Sequence, residues 1–120
     1  MDTRTKIVST QEALRLAEAG ATVVSGYFDP LIAGHAQRLQ ELKLAHVNRD
    51  APLLVLINTP SDPILPARAR AELVAALSTV DHVTEMNGEL APHVRLEQED
   101  QQRLDRLIEH VHKRQQEAAD

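Results

Sequence analysis

Residues 21–42 have the sequence ATVVSGYFDPLIAGHAQRLQEL, and this stretch decides the predicted fold. The apolar run at 21–24 indicates a strand, Gly26 begins a turn, and residues 34–45 have the pattern of an amphipathic helix. A strand, a glycine-containing turn and a helix start bring free backbone N–H groups together, which favours phosphate binding. We therefore expect an anion site between residues 26 and 35.

The rest of the chain continues the alternation of strands and helices. Helices are predicted at 9–19 and 66–79, a buried strand at 53–57, and short strands at 80–86 and 94–96. Such alternation is typical of a parallel sheet covered by helices. We predict an α/β fold: a three-layer α/β/α sandwich with a Rossmann-like parallel sheet, truncated at its C-terminal end. Strands 21–25 and 53–58 are expected to be adjacent and central.

A chain of 120 residues is long enough for one domain and one core. We expect residues 7–96 to form the α/β core and 97–118 a C-terminal helix. Leu104, Leu107, Ile108 and Val111 follow helical spacing and would give this helix one apolar stripe. Since three main strands make a small sheet, we expect the stripe to hold a homodimer together.

Composition excludes several classes of protein and site. The chain has no cysteine, so it forms no disulfide or thiolate metal site. A net charge of −5 without a basic face argues against a nucleic-acid partner. No apolar stretch has membrane-spanning length, so we expect a cytoplasmic protein with no membrane contact. His110 and His112, two residues apart, lie on different sides of a helix, and no metal site is predicted.

Residues 26–35 resemble the G-x-F-D-x-x-H-x-G-H signature of the nucleotidyltransferase superfamily. Gly26, Phe28, Asp29, Gly34 and the second histidine, His35, match. A later segment, residues 70–83, is similar to the R-x-x-L-x-x-A-L-x-x-V-D-x-V segment of the nucleotidyltransferase domain of ADP-heptose synthase. Glycerol-3-phosphate cytidylyltransferase shares the same order of segments. The resemblance covers roughly residues 6–83.

The resemblance implies a reaction and a set of site residues. An acceptor phosphate would attack the α-phosphorus of CTP or ATP, with Mg²⁺ on the triphosphate, and pyrophosphate would leave. CMP or AMP would thus pass to a phosphorylated small molecule, and the protein would mainly position the reactants. The implied catalytic residue is His35. The implied nucleotide- and phosphate-binding residues are Gly26, Tyr27, Phe28, Asp29, Gly34, His35 and Arg70.

The chain departs from the superfamily pattern at three places. Ile32 stands where the first motif histidine is expected, and loss of one preorganised donor costs about 10²–10³ in rate. The loop at 59–65 lacks the expected lysine, and residues 84–120 lack the Ser/Thr-rich turn that opens a helix over the triphosphate. Two hypotheses remain open: an active nucleotidyltransferase, or a catalytically inactive nucleotide- or phosphate-binding module on the same fold.

Overall fold

The computed structural model describes residues 2–45, 50–86 and 88–99. The elements, in chain order, are a 3₁₀ helix at Thr3–Lys6, α1 at Thr10–Glu18, β1 at Thr22–Gly26, α2 at Ala33–Ala45, β2 at Leu53–Ile57, α3 at Ala67–Ala75, β3 at His82–Glu85 and β4 at Val94–Arg95. Residues 97–99 are helical. The remainder of the predicted C-terminal helix, including its apolar stripe, lies outside the described residues.

The four strands form one parallel sheet in the order β3-β2-β1-β4. β1 pairs with β2 from Thr22↔Leu53 to Gly26↔Ile57, so the two predicted central strands are indeed adjacent and central. The prediction of an α/β fold with a Rossmann-like parallel sheet is therefore confirmed. The finer prediction of a three-layer sandwich stays a prediction.

Side chains of the central strands divide the core into two clusters, because successive residues of a strand point to opposite faces. Leu53, Val55 and Ile57 pack with Leu39 of α2 and Val74 of α3. Leu54 and Leu56 pack instead with Ala13 of α1. Every residue of β2 is buried, as its continuous apolar sequence predicts.

The ends of α1 are set by local sequence. The Ser9 side chain accepts a hydrogen bond from the Glu12 N–H at 3.2 Å, which is an N-cap. At the other end Gly20 has φ +108°, and its N–H donates to Ala17 O while Ala21 N–H donates to Leu16 O. This is a Schellman motif, and it turns the chain directly into β1.

The structure adds one element to those predicted and shortens another. Thr3–Lys6 forms a 3₁₀ helix capped by the Asp2 side chain. The chain then passes beside β3, where Ile7 forms a parallel bridge with Val83. The helix predicted over 66–79 ends at Ala75, because turns at Leu77 and Val80 lead to Asp81, whose N–H donates to Leu53 O at 3.1 Å.

Candidate functional site

The candidate site lies at the carboxyl ends of the strands, where the strand order reverses. The chain leaves β1 for β2 on one side, whereas β4 returns on the other side of β1. In open parallel sheets such a reversal leaves a crevice beyond the strand ends, which is the usual ligand position. The turn at residues 27–32, which carries the nucleotidyltransferase-like motif, follows β1 at this point.

Phe28 fixes the first half of this turn. Its backbone has φ +50°, which is unfavourable for a bulky residue, and its ring is fully buried in the core. A Cβ added to Gly26 would lie 2.7 Å from Cε2 and Cζ of that ring. The glycine is therefore required by the packing of Phe28. The close approach of a phosphate that the resemblance implied for Gly26 stays a prediction.

Asp29 ties the turn to the loop between β2 and α3. Its Oδ2 accepts the N–H of Ile64 and its Oδ1 accepts the N–H of Leu65, both at 2.7 Å. The peptide bond from Asp29 to Pro30 is cis. Since hydrogen bonds to an ionised acceptor are about twice as strong as neutral ones, this carboxylate is a firm anchor for the loop.

Arg70, on α3, anchors the same loop from inside the protein. Its side chain is fully buried, and its Nε donates to Leu65 O at 3.0 Å. Nη1 donates to Tyr27 O at 3.0 Å and to Asn58 O at 2.7 Å, and Nη2 donates to Thr59 Oγ1 at 3.2 Å. No carboxylate within the described part of the chain forms an ion pair with this guanidinium. Arg70 thus joins the ends of β1 and β2 through neutral oxygens.

His35 faces inward from the first turn of α2. It is 4% exposed, and its ring meets Phe28 edge-on with centroids 5.4 Å apart. Its Nδ1 accepts the N–H of Ile32 at 3.0 Å, so in the neutral ring Nε2 carries the proton. A side chain at the third helical position that accepts the N-cap N–H is half of a capping box. This contact explains the histidine structurally, and its predicted catalytic role stays a prediction.

The opening of α2 has unused backbone donors. Ile32 precedes the helix and has no side-chain acceptor, while its carbonyl accepts the N–H groups of His35 and Ala36. The N–H groups of Ala33 and Gly34 have no acceptor among the described residues. The Ile32 side chain is 46% exposed, so the residue that replaces the first motif histidine lies at the surface of the crevice.

A depression of about 310 Å³ lies beside this opening, lined by Gly34, Gln37, Arg38 and Glu41. Arg38 Nε lies 3.3 Å from Glu99 Oε2, and Arg38 Nη1 lies 3.5 Å from Glu41 Oε2. Among the described residues that line this depression, the one cation, Arg38, is therefore already paired with carboxylates.

Sequence reasoning missed Asn58 and Glu97 at this edge. Asn58 Nδ2 donates to Glu97 Oε1 at 3.2 Å, across the end of β1, and Asn58 N–H donates to Gly26 O at 2.9 Å. Asn58 comes directly after β2 and Glu97 comes two residues after the end of β4. A polar residue at a strand's carboxyl end is the signal that would have identified them.

The structure brings most predicted site residues together, although their side chains mainly contact the protein itself. Phe28 packs against both Gly26 and His35, while Asp29 and Arg70 hold the neighbouring loop. Tyr27 contributes its carbonyl oxygen to Arg70, and Gly34 lies at the helix opening. The side chains of the predicted site are therefore engaged within the protein, and the hydrogen-bond donors that remain for a ligand are backbone N–H groups at the opening of α2.

Among the described residues, the one partly buried carboxyl group with a shifted pKa is that of Asp81, which lies away from the crevice, at the amino end of β2. Burial raises the pKa of Asp81, but hydrogen bonds from Lys43 Nζ at 2.6 Å and Leu53 N–H at 2.7 Å outweigh burial, so the pKa lies below its ordinary value. These hydrogen bonds of Asp81 with Lys43 of α2 and Leu53 of β2 attach α2 to the sheet.

Among the described residues, no group of three or more His, Asp or Glu side chains is placed to hold a metal ion. None of the helices in that part of the chain has the length and apolar character needed to cross a bilayer. Comparison with models of known protein families, and with curated proteins, finds no match to this chain.

Proposed function

We propose that this chain is a nucleotide- or phosphate-binding module of the nucleotidyltransferase type, with little or no catalytic activity. The observation that carries the proposal is the opening of α2 at the carboxyl end of β1. There the N–H groups of Ala33 and Gly34 have no acceptor among the described residues. Unpaired amides and the positive end of the helix dipole favour a phosphate at such a position.

The state of the motif side chains favours binding over catalysis. His35 Nδ1 is engaged by Ile32 N–H, and the guanidinium of Arg70 is engaged by four oxygens. Ile32, at the position of the missing histidine, offers an apolar side chain. Charge that develops on a phosphate during transfer would therefore meet fewer side-chain donors than the superfamily signature supplies.

The second candidate function is nucleotidyl transfer itself, in which CMP or AMP passes to a phosphorylated small molecule. It is supported by the position of residues 26–35, which run from the last residue of β1 to the first turn of α2, as the superfamily signature requires. Mg²⁺ would enter on the triphosphate, because the described residues provide no carboxylate cluster that would hold it alone. A homodimer remains part of both proposals and is tested by sedimentation of the full chain.

A matched pair of proline variants tests the binding site. Proline suits the first helical position but has no N–H, so Ala33→Pro removes one donor from the opening of α2. Ala67→Pro makes the same change at the first residue of α3, where Pro66 has ψ 149°, as a residue before proline requires. Loss of one charge-assisted hydrogen bond should weaken binding of ATP, CTP and inorganic phosphate roughly tenfold in Ala33→Pro.

Calorimetry and thermal shift measure these affinities in the full chain. Ala67→Pro should bind as the wild type does. The proposed function would be contradicted if the two variants bind with equal affinity. It would also be contradicted if none of the three ligands raises the melting temperature of the wild type. Pyrophosphate release with CTP or ATP and phosphorylated acceptors separates the two candidates: turnover above background favours the enzyme.

A further inference from the structure

We propose that Glu97 and Ser25 hold a monovalent cation at the end of β1, on the face of the sheet that α1 covers. The site is separate from the opening of α2, and it does not depend on the proposed function. Two buried oxygen atoms carry the inference. Glu97 Oε2 and Ser25 Oγ are both shielded from solvent, and neither has a hydrogen-bond partner among the described residues.

Glu97 supplies the negative charge of this site. Its Oε1 accepts a hydrogen bond from Asn58 Nδ2 at 3.2 Å, whereas its buried Oε2 accepts none within the described part of the chain. No Lys, Arg or His side chain in that part forms an ion pair with Glu97. Because an unpaired charge in the interior is costly, buried carboxylates are paired with cations or coordinate metal ions. Glu97 Oε2 is therefore suited to bind a cation.

Ser25 supplies a neutral oxygen beside it. Val24 packs in the cluster with α2 and α3, so Ser25 points to the other face, where Val23 packs with α1. The Ser25 carbonyl accepts the N–H of Leu96, the residue directly before Glu97, at 2.7 Å. Ser25 itself is fully buried, and a buried hydroxyl group without a partner calls for a specific explanation, such as a bound ion.

Asn58 places the Glu97 carboxylate on the same face as Ser25. Asn58 N–H donates to Gly26 O at 2.9 Å, so Asn58 extends the ladder between β2 and β1. Since side chains alternate along a strand, the Asn58 side chain shares the α1 face with Leu56. From that face Asn58 Nδ2 holds the Glu97 carboxylate across the end of β1.

The ligand set favours a monovalent ion. A single carboxylate balances a single positive charge, whereas a divalent ion would leave buried charge uncompensated. Carboxylate and hydroxyl oxygens suit hard cations. K⁺, Na⁺ and NH₄⁺ share this chemistry. The bound ion would join β1 to the helical residues 97–99 after β4.

Thermal unfolding of the full chain in four chloride salts tests the site. KCl, NaCl, NH₄Cl and choline chloride are compared at one ionic strength of about 0.15 M, and choline is too large for a closed site. An ion that binds only the folded state raises its stability. At least one of the three small cations should therefore raise the melting temperature by about 2–5 °C relative to choline.

Three variants assign the effect to the proposed ligands. Glu97→Gln removes the charge, keeps an oxygen for Asn58, and adds an amide N–H that is able to donate to Ser25 Oγ. It should abolish the difference between salts and, in choline chloride, melt at or above the wild-type temperature. Ser25→Ala should reduce the difference. Glu99→Gln is the matched control, because its carboxylate lies two residues later and pairs with Arg38, and it should keep the full shift.

Equal melting temperatures of the wild type in all four salts would overturn the inference, since the two oxygens would then bind water rather than an ion. A salt difference that persists in Glu97→Gln, or one that Glu99→Gln abolishes, would overturn it as well. Circular dichroism checks that each variant is folded. If Ser25→Ala does not fold, the comparison of wild type with Glu97→Gln decides the question.

Discussion

Single residues in the turn after β1 have their identity fixed by packing. The Phe28 ring occupies the space that a side chain at Gly26 would need, with ring atoms 2.7 Å from the added Cβ. Gly26→Ala should therefore destabilise the protein by about 1–3 kcal/mol through overpacking. In a Phe28→Leu background the same change should cost less, because the ring is gone. Urea unfolding of the four members of this cycle measures the coupling, and equal costs in both backgrounds would contradict it.

Substitution of the single residue Ile32 tests whether the protein is an enzyme. Because its side chain is 46% exposed, Ile32→His should change the free energy of unfolding by less than about 0.5 kcal/mol. The proposed binding module predicts that pyrophosphate release stays at background in this variant, since His35 and Arg70 remain engaged by the protein. A rise in turnover with unchanged melting temperature would favour the enzyme instead.

At the scale of elements, the loop between β2 and α3 is attached at two points by charged side chains. Asp29 accepts the amides of Ile64 and Leu65, so Asp29→Ala should cost about 1.5–3 kcal/mol of stability. Hydrogen exchange should accelerate at those two amides first. Asp62→Asn, an exposed change within the same loop, is the control. Unchanged protection at 64 and 65 in Asp29→Ala would show that the loop does not depend on the carboxylate.

The elements also show what the sequence predicts and what it does not. The apolar run at 53–57 predicts β2 to the residue, because both of its faces are buried. The end of α3 was predicted four residues late, since residues 76–79 are acceptable in a helix and the turn there leads to a contact of Asp81 with distant Leu53. Likewise the motif predicts a site at residues 26–35, and that stays a prediction. The side-chain contacts of its residues are not visible in any local pattern, because the partners of Asp29 lie 35 or more residues away in sequence and those of Arg70 lie 5 to 43 residues away.

At the scale of the whole molecule, the network of Asp81 and Lys43 makes stability depend on pH. The folded pKa of Asp81 lies below its ordinary value, so the unfolded state binds the proton more readily. The stabilisation is present above the unfolded pKa of about 3.9 and is lost as pH falls through the folded pKa. Asp81→Asn should therefore cost about 1 kcal/mol at pH 7, a modest value because solvent screens the partly exposed pair.

Urea unfolding of wild type and Asp81→Asn across the acid range measures this dependence. The difference between them should shrink as pH falls below about 4. The surface pair of Arg68 and Glu72 offers a control, since Glu72→Gln should change stability little at any pH. A difference that stays constant down to strongly acid pH would show that the Asp81 charge is not the cause.

The way Arg70 holds the carboxyl ends of β1 and β2 has a consequence for how this sequence is able to diverge. At positions 27, 58 and 65 the guanidinium contacts main-chain oxygens, which every amino acid supplies. A saturation mutagenesis scan should find position 70 intolerant, whereas substitutions at those partners leave the contact itself intact. A change at one of these partner positions does not require a compensating change at position 70. Covariation between aligned sequences would therefore not detect the contacts of Arg70, even in a family with very many members.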